Sequence, residues 1–165
     1  MKKLLIILLT LIAVASLAAC GDNSGSNANT DESAATLTTS EFISVQPVMD
    51  KIKAENLLPE DYITLTTDDL IDYYGIESAW VVESSVIQNS SGYQDEIIII
   101  HASNPSAVKS ALEEHLEYQK NEMRDYSPEQ FAILEKCKVE TKGNYIALFI
   151  SENAARMSEI FNETL

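Results

Sequence analysis

Hydrophobic positions along this chain fall into three regimes, each predicting a different kind of structure. Residues 4–19 are uncharged and almost wholly apolar, behind Lys2 and Lys3. Residues 21–40 are mostly Gly, Ser, Asn, Thr, Asp and Ala, with almost nothing apolar. From Phe42 onward, apolar residues recur at helical or strand spacing. Val45, Met49 and Ile52 predict a first helix over 44–55, with Pro47 tolerated in its first turn and Leu57-Leu58-Pro59 ending it. Thr66 as an N-cap, Asp69 as the capping-box acid and Gly75 after Tyr74 predict a second, short helix.

Two strand-like runs follow, 80–87 and 95–102, joined by Asn89-Ser90-Ser91-Gly92. The second is apolar on both faces at Ile97, Ile98, Ile99 and Ile100, as a central strand should be. Asn104-Pro105 opens a long helix to about residue 124. Val108, Leu112, Leu116 and Met123 form its apolar stripe. Ser127-Pro128-Glu129-Gln130 opens a shorter one. Runs at 138–142 and 145–150 flank Gly143-Asn144, a tight hairpin signal. Ala154, Met157 and Phe161 give a closing helix its inward face. The expected fold is α+β: an antiparallel sheet of about four strands, in two hairpins, covered by helices on one face. No internal repeat is visible.

The first two regimes change the picture from fold to location. Lys2-Lys3, the apolar stretch and Leu17-Ala18-Ala19-Cys20 together read as a bacterial lipoprotein signal, with Cys20 as the lipid acceptor. The stretch is shorter than the roughly 20 residues a bilayer-spanning helix needs. The expected plan is a signal peptide over 1–19, a lipid-anchored flexible linker over 20–40 and a single extracytoplasmic domain over 41–165. A polar linker of that composition cannot bury enough surface to order itself. Its root-mean-square reach is about 25 Å and its extended limit about 70 Å, which keeps the domain near the outer face of the cytoplasmic membrane.

Charge narrows the partners. The chain carries 26 Asp and Glu against 11 Lys and Arg, a net charge of −15. No basic residue lies between Lys53 and Lys109, whereas Glu55, Glu60, Asp61, Asp68, Asp69, Asp72, Glu77, Glu83, Asp95 and Glu96 all do. Nucleic acid binding needs cations to displace phosphate counterions, so that class is excluded. An anionic membrane surface would repel the same domain, leaving the lipid as its membrane contact. A basic surface on an envelope protein is the expected partner; the oligomeric state is left open.

Candidate chemistry is sparse. With Cys20 lipidated, Cys137 has no disulfide partner and reads as a half-buried small hydrophobe. His101 ends a strand and His115 lies beside a helix stripe, in no zinc-binding spacing, so both read as structural. Asp68 and Asp72 share a helix face and are the only weak metal candidates. The spacing is not that of an EF-hand, and acids in a first turn are also explained by capping and the helix dipole. Asp95 and Glu96, consecutive on a strand, point to opposite faces and would not converge on one substrate. Tyr73, Tyr74, Tyr93, Tyr118, Tyr126, Tyr145 and Trp80 suit either an interface or the edges of a core. No nucleophile elbow or phosphate loop is present, no cofactor is expected, and the domain reads as non-enzymatic. The alternative is a small-molecule or divalent-cation binding domain using the acidic segment 54–108.

The succession Asp69-Leu70, Tyr74-Gly75-Ile76, Asp95-Glu96-Ile97, Tyr126-Ser127-Pro128 and Gly143-Asn144-Tyr145-Ile146-Ala147-Leu148 resembles a family of bacterial lipoproteins with a domain of unknown function, widespread in low-GC Gram-positive bacteria. The resemblance covers roughly residues 42–161. It implies a lipid-anchored extracytoplasmic domain and brings no catalytic residues with it.

Overall fold

Five strands, not four, form the sheet, and helices cover both of its faces. The structure is a computed structural model that describes residues 42–91 and 95–165. The signal peptide, the linker, Cys20, Gly92 and Tyr93 lie outside the described residues. The elements are α1 (Gln46–Ala54), β1 (Tyr62–Leu65), α2 (Leu70–Tyr74), β2 (Val81–Asn89), β3 (Glu96–Ala102), α3 (Pro105–Tyr126), α4 (Pro128–Leu134), β4 (Val139–Lys142), β5 (Tyr145–Ile150) and α5 (Ala154–Thr164). The fold is α+β. Every pairing is antiparallel and the strand order is β1-β2-β3-β5-β4.

Alternation along β3 explains the double cover. Ile98, Ile100 and Ala102 face α3, where they meet Val108, Leu112, Leu116 and Met123 together with Leu70, Tyr74 and Ile76 from the α2 segment. Ile97 and Ile99 face the other way, onto Val48, Met49 and Ile52 of α1 and Met157, Ile160 and Phe161 of α5. A run of four isoleucines without alternation therefore requires apolar cover on both sides. One row crosses the entire sheet on the α3 face: Leu65, Val86, Ile98, Leu148 and Val139 are consecutive register partners. No described helix is long and apolar enough to cross a membrane.

The sequence punctuation acts where expected. Asn104 accepts from the Ala107 N–H at 3.3 Å and Ser127 from the Gln130 N–H at 3.4 Å, each with a proline in the following first turn. Gly75 adopts φ +67°, and the N–H groups of Gly75 and Ile76 close α2 on the carbonyls of Ile71 and Leu70. Ile76 is fully buried behind that turn. The predicted first helix starts two residues late, because Glu83 on β2 holds the chain entering it: Ser44 Oγ and the Val45 N–H both donate to its carboxylate, at 2.7 and 2.8 Å.

Candidate functional site

Three polar regions stand out, and the fold separates them. The first is the acidic edge. β1 ends the sheet, and the turn and helix after it bring more acids to the same stretch of chain. Glu60, Asp61, Asp68, Asp72 and Glu77 are all exposed. Asp69 is the exception in role. Its carboxylate accepts from the Thr66 N–H at 2.8 Å and from the Thr66 hydroxyl at 2.6 Å. Those two bonds hold its carboxyl below the usual range. Asp68 accepts from Ser78 Oγ at 3.3 Å. Among the described residues no group of three or more His, Cys, Asp or Glu side chains gathers to hold a metal ion, at Asp68 and Asp72 or elsewhere.

The second region is a buried polar centre between β3 and α3. Glu96 falls on the α3 face, in step with Ile98 and Ile100, and is only 4% exposed. Its Oε2 meets His115 Nε2 at 2.7 Å, while Gln119 and Gln88 donate to Oε1 at 3.3 and 3.5 Å. Tyr74 from α2 stands edge-on to the His115 ring, with centroids 4.8 Å apart. Its hydroxyl is buried and has no hydrogen-bond partner. Burial drives the Tyr74 phenol well above its ordinary range, and the Glu96 charge adds to this. Read singly, Glu96 and His115 gave no hint of each other. The available signal was parity: Glu96 shares a face with residues that must meet the His115 helix. The arrangement is a hydrogen-bonded Glu–His pair with one orphan hydroxyl, in which Glu96 is buried and His115 keeps a small exposed margin.

The third region is a cleft of about 820 Å³ where the ends of α3 and α4 face the corner between β5 and α5. Met123, Tyr126, Ile133, Lys136, Ser151 and Glu152 are among its walls, and Asp95 reaches it from the start of β3. Asp95 and Glu96 thus part company, as consecutive strand residues should. Burial raises the Asp95 carboxyl above its usual range; a hydrogen bond with Ser151 opposes this and the charge of Glu152 adds to it. A second hollow of about 520 Å³ adjoins the cleft through Ile133 and Lys136 and reaches Cys137. Cys137 is buried rather than half-buried, with Sγ directed at the Ile133 carbonyl at 3.3 Å. Burial pushes its thiol upward, against the reactive direction.

The remaining candidates divide between ring contacts and the surface. His101 stacks on Tyr145 at 4.5 Å and meets Phe42 at 5.2 Å, and the Tyr145 hydroxyl donates to the Ile43 carbonyl. Trp80 packs against the α3-side core, whereas Tyr73, Tyr118 and Tyr126 are exposed.

An open antiparallel sheet between two helical layers, with an acidic edge strand and a largely buried polar centre, is the class that fold and site define. Within it the chain belongs to the family described as a domain of unknown function, DUF4358, which matches residues 60–151. That span runs from the turn before β1 to the end of β5 and so contains the acidic edge, the polar centre and part of the cleft. No curated protein and no solved structure matches the chain.

Proposed function

We propose that this chain is a lipid-anchored binding or accessory module, without chemistry of its own, held at Cys20 on the outer face of the cytoplasmic membrane. Its partner is a basic surface of an envelope protein within reach of the tether. The observation that carries the reading is the exposure of Glu60, Asp61, Asp68, Asp72 and Glu77 in a segment with no cation. Opposite charge steers encounter and fixes orientation. Cys20→Ser is expected to release the chain from the membrane fraction or leave it as unprocessed precursor. Crosslinking on live cells is expected to recover a basic envelope protein. A Cys20→Ser chain that still fractionates with membranes, or an empty crosslink, would refute the corresponding half of the proposal.

A second reading, small-molecule binding, draws on the 820 Å³ cleft. It predicts a ligand-dependent rise in melting temperature that is lost when Asp95 or Lys136 is substituted. Millimolar calcium alone is expected to leave the melting temperature unchanged.

A further inference from the structure

We propose that the outer edge of β1 is a strand-addition site, which takes an extended, lysine- or arginine-rich segment of another protein as a sixth strand. The proposal rests on the binding reading above and gives it a location and a class of partner.

Backbone geometry comes first. β1 pairs only with β2. The Ser90 N–H donates to the Asp61 carbonyl in the same register that sets Tyr62 opposite Asn89, so the bonds to β2 fall at Asp61, Ile63 and Leu65. By antiparallel alternation the N–H and C=O groups of Tyr62 and Thr64 point away from the sheet. Tyr62, Ile63 and Thr64 are all exposed. Exposed Tyr62 and Ile63 lie on opposite faces, so an added strand would find one apolar neighbour on each side.

The two edges of the sheet differ in how they are guarded. β4 is flanked by Lys138 and ends on Lys142, residues that discourage edge pairing. Lys138 is engaged with Glu140 at 3.2 Å and Lys142 with the Asn162 carbonyl. β1 holds no lysine and no proline; in the chain it is preceded by the exposed Glu60 and Asp61 and followed by the exposed Asp68 and Asp72.

Charge selects the occupant. A second copy pairing β1 on β1 would set these acids against each other, on chains of net charge −15. A second copy offering β4 would have to give up lysine contacts already made within the domain. A basic extended segment meets neither obstacle.

The test uses the full chain in nonionic detergent and a short synthetic peptide alternating Lys and Val. A peptide of equal charge interrupted by prolines serves as the control. Amide exchange at Tyr62 and Thr64 is expected to slow on adding the alternating peptide, with Ile63 and Leu65 little changed. The control is expected to bind at least about tenfold more weakly. Thr64→Pro removes one outward N–H and leaves the charge and the β2 ladder intact, so it should weaken the peptide by a similar factor. Equal binding of the two peptides, or unchanged exchange at Tyr62 and Thr64, would overturn the proposal. So would protection accompanied by dimers in sedimentation, which would assign the edge to a second copy. The exchange readout decides the matter on the unsubstituted chain if Thr64→Pro fails to fold. A partner crosslinked on cells equally well by a folded Thr64→Pro chain would remove β1 and leave the binding module standing. No crosslinked partner at all would remove the module itself.

Discussion

The buried Glu96–His115 pair makes a demanding test of the fold, because its two halves should fail separately and less than additively together. Glu96 is 4% exposed and its carboxylate has three donors, of which only the 2.7 Å contact with His115 is short. In His115→Leu that carboxylate keeps two long amide contacts inside an apolar cluster. Leaving a buried charge without its partner costs about 3–5 kcal/mol. Glu96→Leu instead orphans the donors of His115, Gln119 and Gln88, at about 1–3 kcal/mol for each one that water does not reach. The His115 side chain is 12% exposed, which puts that cost toward the lower end. With both residues changed to leucine the charge disappears and apolar volume faces apolar volume. The double substitution removes the buried charge and the His115 donor but still leaves Gln88 and Gln119 without their acceptor, so it should cost no more than Glu96→Leu alone and well under the sum of the singles. Urea unfolding of the full chain in detergent, read as midpoint and slope, gives the four corners of the cycle. A His115→Leu cost below about 1 kcal/mol would refute the argument, and so would a double substitution costing the sum of the singles.

Other expectations follow from the same geometry. Because burial raises the folded-state Asp95 carboxyl, its contribution to stability is present at low pH and lost as pH rises through the folded value. Asp95→Asn should therefore raise the melting temperature at neutral pH and make no difference below the carboxylate range, a profile that scanning calorimetry across pH would reveal. At Gly75 (φ +67°) an added Cβ meets nothing within 4 Å, so Gly75→Ala should cost only the left-handed backbone penalty, about 1–2 kcal/mol in urea unfolding. Cys137 should resist iodoacetamide in the native chain and react readily after denaturation, as mass spectrometry would detect.

Elements with local chemistry were legible in the sequence, and contacts between distant elements were not. Both capped prolines at Asn104-Pro105 and Ser127-Pro128, the Gly75 stop and the Gly143-Asn144 hairpin are settled within a few residues of chain, so their signals survive without a fold. β1 escaped because it is only four residues long with three of them exposed. That leaves too little alternation to register, and its pairing depends on β2 more than 20 residues away. The second helical layer was implied by the four isoleucines of β3, whose lack of alternation already argued against a sheet bare on one side. Glu96 with His115 needed both the parity of β3 and its placement beneath α3.

The fate of each acid separates what the fold uses from what it leaves free. Glu83 closes the entry to α1, Asp69 caps the turn after β1, Glu96 pairs with His115, and Glu55 takes two guanidinium bonds from Arg156. Each of these has work inside the domain that a neutral side chain would do less well. Glu60, Asp61, Asp72 and Glu77 make no side-chain hydrogen bond or ion pair among the described residues, and all four lie exposed in the chain just before or after the least guarded edge strand. Like charges gathered there repel one another and weaken the compact state. No Lys or Arg lies in the chain between Lys53 and Lys109 to offset that repulsion locally. On the strand-addition proposal, a cationic strand laid along β1 would both neutralise the acids and satisfy the outward backbone of Tyr62 and Thr64.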